Sequence, residues 1–173
     1  MKHQANKCER IAKIIARAGL ASRRESEKLI LDGRVKVNGK TINSPALNLT
    51  KNDVIEVDGK LLLPPEQTRL WIYNKPVGLV STSKDEKNRP TIFDNLPKEL
   101  PRVVSIGRLD LNSEGLLLLT NDGELKRRLE LPSTGWLRRY RVRVKGKLKD
   151  SMLEPLRHGI FVEGTHFKPM DVS

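Results

Sequence analysis

The sequence predicts an α+β fold in which a small domain of helices and hairpins precedes a domain built on a mixed, mostly antiparallel β-sheet. Near the start, apolar residues recur at helical spacing in two short segments. Beyond them, short aliphatic runs are separated by turn-forming pairs, a pattern typical of antiparallel strands. Pro64 and Pro65 interrupt both patterns, because proline continues neither a helix nor a strand ladder. We therefore predict a first domain over residues 1–63, a linker over 64–68 and a second domain over 69–173.

The composition favours a polyanionic partner. The chain carries 33 Lys and Arg against 21 Asp and Glu, a formal net charge of +12, and such an excess most often serves nucleic acid. The apolar runs are too short to span a bilayer, and no apolar stretch follows the N-terminal charges, so we expect neither a membrane partner nor a secretory signal. One cysteine and three scattered histidines predict a reducing, cytoplasmic location and no metal site.

Two helices are predicted at the start of the first domain. The first has apolar residues at helical spacing, namely Ile11, Ile14, Ile15 and Ala18. Gly19 is a natural end for it. Ser22 begins the second helix, with Glu25 three residues later as its capping-box partner, and Gly33 ends that helix.

A small hairpin-rich sheet is predicted to follow the helices. Val35 and Val37 alternate with polar residues, and Asn38-Gly39 is a strong signal for a two-residue hairpin turn. The segment "VIEVDGKLL" repeats this pattern around Asp58-Gly59.

Two arginines occupy an unusual place in the second helix. Arg23 and Arg24 lie in its first turn, where cations oppose the helix dipole. Beside helix N–H groups they would form an anion site suited to phosphate. The alternative is a solvated charged face without a partner.

The second domain is predicted to contain four strands up to Thr120. They are Leu70–Tyr73, Leu79–Thr82, the segment "RVVSIG" over 102–107, and Leu116–Thr120. Four consecutive leucines fit where both sheet faces are buried, so we expect Leu116–Thr120 to be a central strand.

An acidic, turn-rich segment, "GRLDLNSEG", joins the last two of these strands. Asp110, Asn112, Glu114 and Gly115 match the start of a calcium-binding loop. That loop needs a glutamate at its twelfth position, which is Asn121 here, and a helix rather than a buried strand after it. Calcium is therefore disfavoured. Turn capping explains Ser113 and Asn121 but not the pairing of Arg108 with Asp110.

Arg108 and Asp110 fit a catalytic carboxylate. Residues i and i+2 of an extended segment point to one side, and a nearby guanidinium keeps a carboxylate ionised, as a nucleophile requires. An ordinary ion pair on a loop remains the alternative. Farther on, a strand is predicted over 139–149, because cations alternate there with Tyr140 and aliphatic residues. It would either contact RNA or be an edge strand protected by charge.

The first domain resembles a known module. "AGLASRRESEKLI" and "GRVKVNGK" are similar to the alpha-L RNA-binding domain, found in a small-subunit ribosomal protein and in several RNA-modifying enzymes. The resemblance covers residues 9 to about 60. It implies an RNA-binding face formed by Ser22, Arg23, Arg24, Lys36 and Asn38.

The second domain resembles the ribosomal-RNA pseudouridine synthases of type A, which serve the small ribosomal subunit, or of type B, which serve the large one. The motifs, in order, are "NKPVGLVST", "RPTIFDNLP", "GRLDLNSEGLLLLTNDGEL" and "RRYRVRVKG". The resemblance implies an isomerase with Asp110 as the catalytic residue, with Arg108 holding the target nucleotide flipped out and Tyr140 stacking on the uracil. It implies no cofactor and no metal. The partner would be ribosomal RNA, and the segment "GWLRRYRVRV" favours that of the large subunit. On the cationic side of the strand predicted over 139–149, Arg139, Arg141 and Arg143 would contact this RNA.

The resemblance also concerns the end of the chain. The family continues past "FKPMDVS" with more sheet and a basic segment whose arginine pairs with the catalytic aspartate, so we expect the catalytic domain here to be incomplete. Two functions stay open: a pseudouridine synthase, or an RNA-binding remnant of one. A monomer is expected for the complete protein.

Overall fold

The computed structural model describes residues 8–173. The chain forms two compact units, the first ending at Trp136 and the second covering Leu137–Ser173. The stretch that we interpreted as lacking a secretory signal lies mostly in residues 1–7, outside the described part. No helix of the described residues is long and apolar enough to cross a membrane.

The first unit begins with the two predicted helices. A short strand β1 (Glu9–Arg10) leads into α1 (Ile11–Arg17), and α2 covers Arg23–Leu31. Ser22 Oγ accepts a hydrogen bond from the Glu25 backbone N–H at 3.2 Å, and a Glu25 carboxylate oxygen accepts one from the Ser22 N–H at 2.7 Å. The predicted capping box is confirmed.

A small antiparallel sheet packs against these helices. Its region contains β2 (Val35–Val37), β3 (Lys40–Ile42), β4 (Asn48–Leu49), β5 (Ile55–Val57) and β6 (Lys60–Leu61). The four-stranded order is β3-β2-β5-β6, while β4 pairs with β1. Asn38 and Asp58 both adopt positive φ, at 50° and 51°, so both predicted hairpin turns are confirmed. Ile11, Ile15 and Ile30 lie in the core with Val35 and Val57.

A three-stranded antiparallel sheet follows in the first unit. Its strands are β7 (Leu70–Lys75), β8 (Val104–Ile106) and β9 (Gly115–Thr120), in the order β7-β9-β8. The prediction that the leucine run is a central strand is confirmed. Helix α3 (Gly123–Glu130) follows, capped by the Asp122 carboxylate, which accepts hydrogen bonds from two backbone N–H groups.

Only one face of this sheet is well buried. Leu117 and Leu119 pack with Leu79, Ile92 and Val103. On the opposite face Leu116 is 67% exposed and Ile72 is 79% exposed. The expectation that the leucine run is buried on both faces is therefore wrong, because consecutive side chains point to opposite faces and the second face is largely open.

The predicted strand Leu79–Thr82 is also wrong. Only Val80 makes a ladder contact there, an isolated parallel bridge to Thr91. The Val80 N–H donates to the Pro90 carbonyl and the Ile92 N–H donates to the Val80 carbonyl. The ladder does not extend further, and the adjacent Ser81 uses its side chain to bind another loop.

The second unit contains α4 (Glu154–His158) and a hairpin of β10 (Ile160–Val162) and β11 (Thr165–Phe167). The predicted strand over 139–149 is absent from this unit: the segment is exposed throughout and has no regular secondary structure. Alternating cationic and apolar residues favour a strand only where a neighbouring strand supplies hydrogen-bond partners, and no strand of this unit pairs with the segment.

Candidate active site

The loop between β8 and β9, residues 107–114, carries the predicted catalytic carboxylate and is here called the Asp110 loop. Both Arg108 and Asp110 are exposed. Within the described residues, neither side chain forms a hydrogen bond or an ion pair, so the expected pairing of Arg108 with Asp110 is not found. Residues i and i+2 point to the same side only while the backbone stays extended. Here a turn begins immediately after Asp110, and the two charged groups do not meet.

A buried lysine lies beneath this loop. Lys75, at the end of β7, has no exposed surface, and its ammonium donates three hydrogen bonds to backbone carbonyls. The acceptors are Pro76 at 3.0 Å, Asp110 at 3.0 Å and Ser113 at 2.7 Å. A charged donor satisfied by three carbonyls can remain in a protein interior, and here it ties both ends of a turn to the sheet.

The charges of Lys75 and Asp110 also interact. Burial lowers the pKa of Lys75, while the negative charge of Asp110 acts in the opposite direction. Sequence reasoning missed this residue by treating "NKPVG" only as a turn. The burial of Lys75 could have been predicted from its position in the sequence. Trp71, Tyr73 and Lys75 lie on one face of β7, and that face packs on the core.

Further hydrogen bonds fix the backbone on either side of Asp110. Ser81 Oγ donates to the Leu109 carbonyl at 2.7 Å and accepts from the Leu109 N–H at 3.1 Å. The Gly78 N–H donates to the Leu111 carbonyl at 2.8 Å. The loop backbone is thus bound at Leu109, Asp110 and Leu111, while the Asp110 carboxylate faces solvent.

The start of the loop is held by α3. The Gly107 N–H donates to a Glu130 carboxylate oxygen at 2.7 Å, and the Lys126 ammonium donates to the same oxygen at 2.6 Å. Lys126 also donates to the carbonyl of Ser105, the middle residue of β8. The Asp110 carboxylate is therefore exposed on a backbone whose position is fixed by hydrogen bonds to neighbouring segments.

The predicted RNA-binding residues of the first domain fall into two groups. Arg23, Arg24 and Lys36 are exposed. Ser22 and Asn38 instead use their side chains within the fold. Ser22 caps α2, and the Asn38 amide donates to Asp53 at 2.8 Å and accepts from the Val54 N–H at 2.9 Å.

The remaining predicted site residues belong to the second unit. They are Arg139, Tyr140, Arg141 and Arg143, and all four are exposed. The segment that carries them is an accessible run of cations with one aromatic ring.

Family models match both parts of the chain. A model of the S4 domain matches residues 9–55, and a model described as RNA pseudouridylate synthase matches residues 69–167, more than half of the chain. The chain belongs to the RNA pseudouridine synthase family. The enzymes of this family are isomerases, and the S4 domain is an RNA-binding domain, so both resemblances seen in the sequence are confirmed.

Individual members of the family are similar over nearly the whole chain. An uncharacterized RNA pseudouridine synthase of Rickettsia felis is 52% identical over 165 residues, which are 95% of this chain and 71% of that protein. Ribosomal large subunit pseudouridine synthase B of Pseudomonas aeruginosa is 44% identical over 170 residues, which are 95% of this chain and 44% of that protein. A crystal structure of pseudouridylate synthase matches with a TM-score of 0.54 at 27% identity, covering 92% of this chain and 70% of that one. The predicted α+β fold is confirmed.

Proposed function

We propose that this chain converts a specific uridine of large-subunit ribosomal RNA to pseudouridine, with the Asp110 carboxylate as the nucleophile. The observation that supports the proposal most directly is the Asp110 loop. Its backbone is bound at three successive residues, a buried ammonium lies beneath it, and its carboxylate is accessible. The large subunit is favoured because relatives at 43–44% identity are named for it.

The reaction is an isomerisation, and its atoms balance without a co-reactant. The N1–C1′ glycosidic bond breaks, the base turns, and a C5–C1′ bond forms. The proton leaves C5, and N1 gains one. Because no electron is gained or lost overall, the reaction needs no redox cofactor, and the resemblance implies neither another cofactor nor a metal.

The target base must first leave its stack, which costs a few kcal/mol. In the proposal, Arg108 helps to hold the nucleotide out of the helix, and the ring of Tyr140 stacks on the uracil. Stacking on an aromatic ring contributes about 1–3 kcal/mol per base, enough to offset much of that cost.

RNA binding is assigned to both ends of the chain. We place phosphate contacts at Arg23, Arg24 and Lys36 in the first domain, with Ser22 and Asn38 shaping that surface. Arg139, Arg141 and Arg143 supply further cations. The same proposal includes the domain boundaries, with a first domain over residues 1–63, a linker over 64–68 and a second domain over 69–173. It also includes a cytoplasmic location and a monomeric state of the complete protein.

A second function is an RNA-binding remnant without catalysis. It is favoured by one observation: the S4 domain matches residues 9–55 and carries the exposed cations Arg23, Arg24 and Lys36, which could bind RNA without any catalysis.

One experiment separates the two functions. The 173-residue protein is incubated with in vitro transcripts of the large- and small-subunit ribosomal RNAs, and pseudouridine is mapped by chemical labelling and primer extension. We expect one new pseudouridine, in the large-subunit transcript. RNA binding without any new pseudouridine supports the remnant, and modification confined to the small-subunit transcript contradicts the substrate assignment.

A further inference from the structure

A second group of cations lies beside the arginines of α2 and comes from the other part of the first unit. Arg23 and Arg24 lie at the start of α2, Lys84 follows the isolated bridge at Val80, and Arg102 precedes β8. The four are exposed, and in the part of the chain that the structure describes none of them uses its side chain in a hydrogen bond or an ion pair.

Geometry places Arg102 next to the two helices. Pro101 and Arg102 line a small cavity of about 210 Å³ together with Ala18 and Gly19, which belong to the turn between α1 and α2. The segment before β8 is therefore adjacent to the turn that precedes α2, although the two are far apart in the sequence.

The electrostatics of Glu25 agree with this placement. The hydrogen bonds with Ser22 lower the pKa of Glu25 most, and the positive charges of Arg102 and Lys84 lower it further. Both cations thus lie close enough to the first turn of α2 for their charges to act there. Glu25 is itself bound in the capping box, so it forms no ion pair with them.

Lys84 is presented by an ordered loop. Thr82 Oγ1 donates to the Lys84 carbonyl at 3.0 Å. The Asp85 carboxylate forms an ion pair with Arg89 at 2.7 Å and accepts the Lys87 N–H at 3.0 Å. The charge of Asp85 is thereby paired locally, and the loop is already folded before a ligand arrives, which reduces the entropy lost on binding.

We propose that Arg23, Arg24, Lys84 and Arg102 form one phosphate-binding surface that contacts a single segment of the RNA substrate from both sides of the linker. This proposal rests on the proposed function, because it takes RNA as the substrate. Four exposed cations, unpaired within the described residues, suit the successive phosphates of an RNA strand. RNA is favoured over an acidic peptide because two of the four belong to an S4 domain, which is an RNA-binding domain. Glu66, which lines the same cavity, marks one limit of the surface.

The first test measures how RNA affinity depends on salt. The full chain and a large-subunit ribosomal RNA transcript are titrated at several salt concentrations, using the wild type and the double variant Lys84→Gln/Arg102→Gln. Losing two phosphate contacts should flatten the log–log slope by about two units and weaken binding at least about tenfold near 0.1 M salt. The variant Arg23→Gln/Arg24→Gln should behave similarly.

A matched control removes the same charge elsewhere. Lys51→Gln/Lys60→Gln changes two exposed lysines of the first-domain turns and hairpins that lie outside the proposed surface. It should leave the slope within about half a unit of the wild type. If this control flattens the slope as much as Lys84→Gln/Arg102→Gln does, net charge alone explains the effect and the proposal is overturned.

The second test asks whether one RNA segment touches both sides. In a Cys8→Ser background, an iron-chelate cleavage reagent is attached to Glu27→Cys or to Glu86→Cys, which leaves all four cations in place. Cleavage from the two positions should overlap within a few nucleotides. Cleavage in separate regions of the transcript would show two independent contacts and would overturn the shared surface.

These outcomes are separable from failure of the proposed function. Pseudouridine is counted with the same proteins. If the wild type forms pseudouridine while Lys84→Gln/Arg102→Gln keeps the wild-type slope, the surface is wrong and the function stands. If the salt and cleavage results appear without pseudouridine, the surface stands and the catalytic proposal is wrong. If no RNA binds at all, both are wrong.

Discussion

The ammonium of Lys75 donates a hydrogen bond to the backbone carbonyl of Asp110 at 3.0 Å. The two residues are 35 positions apart, one at the end of a strand and the other in a loop. This bond, with the one to Ser113, makes the position of the candidate nucleophile depend on a fully buried charge.

Replacing Lys75 with methionine should therefore destabilise the protein. The Lys75→Met side chain has a similar length but removes the three hydrogen bonds that the ammonium donates to carbonyls, and we expect a loss of about 3 kcal/mol in the free energy of unfolding. Urea denaturation followed by circular dichroism measures it. Lys126→Met is the control, since Lys126 is one-third exposed, and it should cost about 1 kcal/mol. If the two variants lost the same free energy of unfolding, the burial of Lys75 would make no additional contribution to stability.

Asp110→Asn should abolish pseudouridine formation wherever the wild type is active. Asparagine preserves the size of the side chain but removes the anionic nucleophile, so we expect a loss of at least about a thousandfold, or about 4 kcal/mol in the barrier. RNA affinity should stay within a few-fold. Glu114→Gln, a nearby carboxylate in the same loop, is the control and should retain activity. Full activity in Asp110→Asn would exclude the carboxylate mechanism.

Tyr140→Phe should cost much less activity than Asp110→Asn. A ring that stacks on a base uses its face, and phenylalanine keeps that face. Tyr140→Ala should lower the pseudouridine yield more than Tyr140→Phe. If Tyr140→Phe lost as much pseudouridine yield as Tyr140→Ala, the hydroxyl and not the ring face would be the functional group of Tyr140.

Substitutions of Ser22 and of Arg24 should have different effects: the first should change stability, and the second should change RNA binding. Ser22→Ala removes the cap of α2 and should lower the free energy of unfolding by about 1 kcal/mol, without changing the salt dependence of RNA binding. Arg24→Gln should leave stability nearly unchanged and flatten the log–log slope by about one unit. A change of slope in Ser22→Ala would place its hydroxyl on the RNA.

Asp85 should make the free energy of unfolding more sensitive to acid. The Arg89 guanidinium holds the pKa of Asp85 well below its ordinary value of 3.8. Because the folded-state pKa is the lower one, this stabilisation is present above about pH 4 and is lost as the pH falls toward the folded-state pKa. Asp85→Asn should therefore show a smaller loss of stability between about pH 4 and about pH 2 than the wild type. Glu86→Gln, the neighbouring carboxyl, should follow the wild-type curve.

The local elements and the family are both encoded in short stretches of sequence. Ser22 with Glu25, Asn38 with Gly39, and Asp58 with Gly59 set their own conformations, because each acts on backbone groups only a few residues away. The central position of the leucine strand was also predicted from composition, although the burial of both faces on which that prediction rested is wrong. The motif around Asp110 was enough to identify the candidate nucleophile and the pseudouridine synthase resemblance.

The surroundings of that nucleophile depend instead on how distant segments meet in the fold. The buried ammonium beneath Asp110 is that of Lys75, and Ser81 binds the Asp110 loop instead of forming a strand. Residues 139–149 alternate as a strand does, yet they have no strand partner within their unit. The physical reason is common to all three cases. Hydrogen bonds and charge pairs between distant segments depend on which segments come into contact in the folded chain. The local periodicity of a sequence does not encode those contacts.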